Sequence, residues 1–154
     1  MDNSVALTRR QLVVGAFTVM QLAGVAVQSD AADIAVNEKT NLGIVDKFMK
    51  GWAASDATGA KQASFFSDDC IVRLQEGKPP IRGMPALIAA FDGYLSKGAR
   101  FDIKITSSCA KGPVVINSRT DGAIINGRAT KGSAVIGFFL LRGGKIVEQS
   151  DFLP

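Results

Sequence analysis

Arg119 and Asp121 stand two residues apart in the stretch Val114-Val115-Ile116-Asn117-Ser118-Arg119-Thr120-Asp121-Gly122-Ala123-Ile124. β-Branched and apolar residues dominate its ends, so it reads as a strand that turns polar in its middle. Alternate strand residues share a face, which points Asn117, Arg119 and Asp121 the same way. A guanidinium and a carboxylate on an apolar strand are costly to bury unless paired, and they make sense lining a cavity. A further carboxylate, Asp151, lies near the C-terminus. Alternation along that last strand sets Val147, Gln149, Asp151 and Leu153 on one face. If the segment Thr130–Arg142 forms a strand between the two and the sheet curls, both aspartates look into one interior.

An arginine between two aspartates can bond both. Two negative charges and one positive, held out of water, favour a state in which one carboxyl keeps its proton while the other is ionised. The two would titrate as a coupled pair. An acid facing a base across a small apolar pocket suits the addition of water to a strained three-membered ether. The base takes a proton from water, the acid protonates the leaving oxygen, and neither a covalent intermediate nor a metal is required. The bland alternative is a structural ion pair, because Arg-x-Asp spacing is a weak signal.

Composition narrows the chemistry further. The chain has 154 residues, 47% of them hydrophobic, and no His. That length suits one domain with its own core. The lack of His excludes Ser-His-Asp and Cys-His catalysis and the commonest metal ligand. The net charge of +4 comes from dispersed Lys and Arg without aromatic interleaving, which argues against nucleic-acid binding. Cys70 and Cys109 have no metal-like spacing and are expected to be buried free thiols, a disulfide staying open if the protein is exported.

The N-terminus reads as an address. Arg9-Arg10 precedes a moderately hydrophobic run from Leu12 to Val27, short for a membrane span, and Ser29-Asp30-Ala31 offers small residues for a signal peptidase. This resembles a bacterial twin-arginine export signal over residues 1–31, which implies a periplasmic or exported protein. The alternative is an attached N-terminal helix on a cytoplasmic protein.

These side chains need elements to position them. After a polar linker at Asp30–Asn37, Leu42, Val45, Phe48, Met49 and Trp52 recur at helical spacing, predicting a helix over 38–54. Ser55 or Asp56 caps a second helix over 57–66, which Ser67-Asp68-Asp69 breaks. Cys70 to Leu74 is a short strand, and Gln75–Pro80 a loop. A third helix over 85–96 starts at Pro85, buries Leu87, Ile88, Phe91, Tyr94 and Leu95, and ends at Gly98. Strands follow: Phe101–Ile105; the Arg119 strand to about Asn126, with a turn at Asn126-Gly127; Thr130–Arg142 with a bend or bulge at Gly137; and Ile146–Leu153 after an Arg142-Gly143-Gly144-Lys145 hairpin. Helices followed by antiparallel strands mean one α+β domain over 38–154, a strongly curved, mainly antiparallel sheet closed by about three helices into a cone.

The stretches Val115–Asp121, Ile136-Gly137-Phe138-Phe139-Leu140-Leu141, Gly144-Lys145-Ile146 and Ser150-Asp151-Phe152 resemble the limonene-1,2-epoxide hydrolase family. That family shares the nuclear transport factor 2-like cone with SnoaL-like polyketide cyclases and ketosteroid isomerase. The resemblance implies Asp121 as the acid on the epoxide oxygen, Asp151 as the base for water, and Arg119 bridging both, with no cofactor and no metal. It also implies a small hydrophobic substrate and a homodimer. The family holds its water with a Tyr and an Asn on the first strand. The matching positions here are Val72 and Leu74, so Asn117 or Gln149 is expected to substitute. Phe48, Trp52, Leu87, Phe91, Val135, Phe139 and Val147 are the expected apolar lining. Two other readings stand beside hydrolysis: a SnoaL-like cyclase or isomerase moving a proton next to a carbonyl, and a non-catalytic binder of an apolar ligand.

Overall fold

The computed structural model describes residues 23–96, 99–125 and 127–153, with side chains from residue 37 onward. The twin arginine and most of the run after it lie outside the described residues, as do Gly98 and Asn126. The chain divides into two units at Ala32/Asp33, and the second, Asp33–Pro154, carries the sheet.

Helix α1 runs Ala23–Gly51. The expected linker at 30–37 is therefore helical, because Ala31-Ala32-Asp33-Ile34-Ala35-Val36 contains neither Gly nor Pro and nothing interrupts the backbone ladder. Helix α2 is Gly59–Ala63, shorter than expected, and its cap is Thr58, whose hydroxyl accepts from Lys61 N at 3.2 Å. Strand β1 covers Phe66–Arg73, so Ser67-Asp68-Asp69 lies inside a strand and not at a break. Phe66, Cys70 and Val72 are buried and anchor it, while Asp68 and Asp69 project outward. Strand β2, Ile81–Arg82, precedes helix α3, Met84–Leu95. Strands β3 (Arg100–Lys111), β4 (Val114–Ile125), β5 (Arg128–Ala129), β6 (Ser133–Arg142) and β7 (Lys145–Phe152) complete the chain.

The seven strands form one sheet in the order β2-β1-β7-β6-β4-β3, with β5 paired to β4. All pairs are antiparallel except β1 with β7. The β6–β7 hairpin turns through Gly143 (φ 55°) and Gly144 (φ 75°), left-handed conformations that a two-residue hairpin demands. Gly137 is not a bulge: it pairs regularly with Asn117 on one side and Asp151 on the other. The bulge falls instead in β7, where Ile146 opposes Leu141 and Glu148 opposes Leu140, leaving Val147 as the extra residue. Ile146 takes the inward place that plain alternation gave to Val147.

Phe48 of α1 centres the core. Its ring lies 5.1 Å from that of Phe66, 6.2 Å from Phe91 and 6.4 Å from Phe139, so one helix side chain ties α3, β1 and β6 together. Burying such a ring stabilises by roughly 1.5–3 kcal/mol relative to leaving it in water. Of the residues expected on the buried side of α3, Leu87, Phe91 and Leu95 are buried and Ile88 partly so, but Tyr94 is 44% exposed. Cys70 is buried as expected, whereas Cys109 is exposed, because it pairs with Ile116 on the outer face of the sheet. Burial pushes the Cys70 thiol pKa up. A disulfide reagent on the native protein should therefore titrate one thiol per chain, and a second only after unfolding.

Candidate active site

The register of three strands builds the site. Asn117, Gly137 and Asp151 form one row across β4, β6 and β7. Arg119 starts in the next row of β4, and Asp121 in the one after that. Gly137 has no side chain, so the Arg119 guanidinium lies over it. A Cβ at residue 137 would clash with Arg119 Nη1 and lie 2.6 Å from Asn117 Oδ1.

Every nitrogen of that guanidinium is engaged. Nε donates to Asp121 Oδ1 at 2.9 Å and to Oδ2 at 3.1 Å, Nη1 donates to Asn117 Oδ1 at 3.1 Å, and Nη2 forms an ion pair with Asp151 Oδ2 at 2.8 Å. Gln149 Nε2 donates to Asp151 Oδ2 at 3.1 Å. The Arg119 side chain is 2% exposed, that of Asp151 11%, and that of Asp121 27%. Burial works against the Arg119 charge, but Asp151 and Asp121 together hold its pKa above the ordinary value. Burial raises the Asp151 pKa above the ordinary carboxylate value, partly offset by Arg119 and by the Gln149 hydrogen bond. Three buried polar atoms of this group lack a hydrogen-bond partner: Asn117 Nδ2, Gln149 Oε1 and Asp151 Oδ1.

Arg119, Asp121, Gln149 and Asp151 form the polar wall of a cavity of about 200 Å³. Of the expected lining, Phe48, Trp52, Leu74 and Phe91 face it. Val72, Leu87, Val135 and Phe139 are buried but do not reach it, and Val147 sits at the bulge. Asn117 lies behind Arg119, with 1% exposure. Five lining residues were not in the expected set: Met49, Gln75, Tyr94, Phe101 and Ile103. A signal existed for two of them, since Phe101 and Ile103 alternate in β3 and Ile103 pairs with Asp121. Among the described residues no three His, Cys, Asp or Glu side chains cluster as metal ligands, and both site carboxylates are committed to Arg119.

No family model matches the chain, and no curated protein does. Solved structures do. A limonene-epoxide-hydrolase-like ("LEH-like") epoxide hydrolase of M. tuberculosis superposes with TM-score 0.64 at 22% identity, over 76% of this chain and 84% of that one. A protein of Jannaschia sp. CCS1 named as a SnoaL-like polyketide cyclase gives 0.60 at 16% identity over 75% and 86%. A protein with a ketosteroid isomerase-like fold from Catenulispora acidiphila, in complex with trimethylamine, gives 0.60 at 15% over 71% and 83%. The fold is the nuclear transport factor 2-like cone. The expected α+β cone is thus observed, its sheet curved but not closed into a barrel. Of the two positions expected to match a held-water site, Val72 is fully buried in the core and Leu74 is an apolar part of the cavity wall.

Proposed function

We propose that the chain hydrolyses an epoxide on a small apolar molecule in one step. One observation carries this reading: a buried guanidinium bonded to two carboxylates at the wall of an aromatic-lined cavity. Asp151 takes a proton from water, the water oxygen bonds to an epoxide carbon, the ring C–O bond breaks, and Asp121 protonates that oxygen. Arg119 keeps both carboxylates aimed. Trp52, Phe91 and Phe101 suit an apolar substrate, and a cavity of about 200 Å³ keeps it small.

The test is a panel of terpene and styrene-type epoxides in heavy-oxygen water. Labelled diol is expected, abolished by Asp121→Asn and by Asp151→Asn. No diol from any epoxide overturns the reading. Because burial raises the Asp151 pKa, its base form disappears as pH falls through a point above the ordinary carboxylate value. The acid limb of kcat/KM is expected there, and a limb at the ordinary value of 3.8 would contradict Asp151 as the base.

A second reading is favoured by the apolar Val72 and Leu74. An isomerase or cyclase needs no held water, and the raised pKa of Asp151 suits a proton shuttle beside a carbonyl. Deuterium exchange next to the carbonyl of a cyclic ketone in heavy water, without diol from epoxides, would select it.

Pairing of two copies would use the outer sheet face, where Ile136 pairs with Phe152 and both are more than 40% exposed. Phe152→Glu should shift sedimentation from dimer to monomer. A wild-type monomer would remove the dimer from the proposal.

A further inference from the structure

We propose that Gln149 and Asp151 hold between them the water that adds to the substrate, an inference that rests on the hydrolase reading above. Gln149 is 3% exposed and lines the cavity. Its amide has one orientation that works: the NH₂ end faces Asp151 Oδ2, to which Nε2 donates at 3.1 Å, because only that end can donate. The oxygen end is thereby left over. Gln149 Oε1 and Asp151 Oδ1 are both buried and both without a donor.

Left dry, each of these acceptors loses the hydrogen bonds it makes to water in the unfolded chain and gains none in return. The one unpartnered nitrogen of the group, Asn117 Nδ2, bonds neither of them. Arg119 commits Nε to Asp121, Nη2 to Asp151 Oδ2 and Nη1 to Asn117. On the β1 side Gln149 pairs with Val72, whose side chain has nothing to donate. The donor must come from the cavity, and water is the smallest species with two hydrogens to give.

The chemistry follows from that arrangement. A water donating one hydrogen to Gln149 Oε1 and the other to Asp151 Oδ1 turns its lone pairs away from both, toward the substrate. Asp151 already holds the hydrogen that must leave. As the oxygen bonds to an epoxide carbon, that proton passes to Asp151 Oδ1, the ring C–O bond breaks, and Asp121 supplies the proton for the alkoxide. The product is a neutral diol. Asp151 then returns its proton to solvent and Asp121 regains one. Asn117 has a different part: its Oδ1 holds Arg119 Nη1 behind the cavity wall, so it positions the guanidinium and not the water.

Gln149→Met keeps the length of the side chain and removes both hydrogen bonds. A high-resolution crystal structure of the wild-type chain should show an ordered water within hydrogen-bond distance of Gln149 Oε1 and Asp151 Oδ1. In Gln149→Met that water should be gone, with the Arg119–Asp151 bond kept. The kcat for diol formation should fall roughly 100-fold, as expected when a reactant loses its placement, with KM little changed. The acid limb of kcat should also move to higher pH, because the bond holding the Asp151 pKa down is lost. That limb reports the Gln149–Asp151 bond; the water in the crystal and the split between kcat and KM report the water's placement. Wild-type kcat in Gln149→Met, or no such water in the wild-type crystal, overturns the proposal while labelled diol still supports the hydrolase. A bridging water with no epoxide opened sinks the hydrolase reading and with it the role of that water as nucleophile.

Discussion

Gly137→Ala is expected to abolish the site while adding a single methyl group. Elsewhere in a strand, Ala in place of Gly would stabilise by roughly 0.5–1 kcal/mol. At 137 the backbone is not left-handed, so an alanine suffers no conformational penalty. The penalty is steric. The new Cβ would clash with Arg119 Nη1 and lie 2.6 Å from Asn117 Oδ1 and 2.8 Å from Phe139 Cε2. Phe139 is fully buried and cannot yield, so the guanidinium must leave, and its bonds to Asn117 and Asp151 go with it. Overpacking of this kind costs typically about 1–3 kcal/mol. Loss of aim between acid and base should cost at least about 100-fold in turnover. Gly93→Ala is the control: it lies in α3 with nothing within 4 Å of the added Cβ, and should raise stability slightly. Urea melts and diol formation for both variants decide the matter. A Gly137→Ala protein as stable and active as the wild type would show that the guanidinium does not depend on the missing side chain.

Arg119→Leu should be the most damaging single change. It leaves Asp151 buried beside Asp121 with no counter-charge. Breaking a buried pair by removing one partner costs roughly 3–5 kcal/mol near neutral pH. The loss should depend on pH with a definite sign. Burial already raises the Asp151 pKa, and Arg119 is what opposes that rise. Without Arg119 the folded-state pKa climbs further above the unfolded one. The folded state then binds more protons than the unfolded state over a wider window, so stability falls as pH rises through it. Denaturation at acidic pH should therefore show a small deficit for Arg119→Leu and at mildly alkaline pH a large one. A deficit independent of pH would mean that the lost stability is packing, not charge. The proposed hydrolysis should vanish at every pH, since neither carboxylate would be aimed.

The charged residues were legible because strand alternation survives where it matters. Arg119 and Asp121 share a face by parity alone. Asp151 keeps its inward place because the bulge at Val147 lies upstream of it. That same bulge is why Val147 itself was misplaced, since no sequence pattern announces the extra residue. The parallel pairing of β1 with β7 joins residues far apart in the chain and leaves no local trace, so Gln149 could not be seen to sit beside Val72. Strands of two residues, such as β2 and β5, are too short for a periodicity. Tyr94 falls on the apolar stripe of α3, yet its ring edges past Phe101 to the cavity. Gly137 carried the right label for an unusual position and the wrong reason: it makes room for a neighbour's charge, and the ladder through it is unbroken.

Trp52 is the chain's single tryptophan and Tyr94 its single tyrosine, and both line the cavity. The Trp52 indole is edge-on to Phe91 at 4.8 Å and to Phe101 at 5.3 Å. Excited where only the indole absorbs, the protein therefore emits from one source, set against the place where a ligand would lie. Any molecule entering should displace water from that indole and change its colour and yield, with no second indole to dilute the signal. The cavity comes with its own optical probe, and affinities for unreactive ligands can be read from the unlabelled chain.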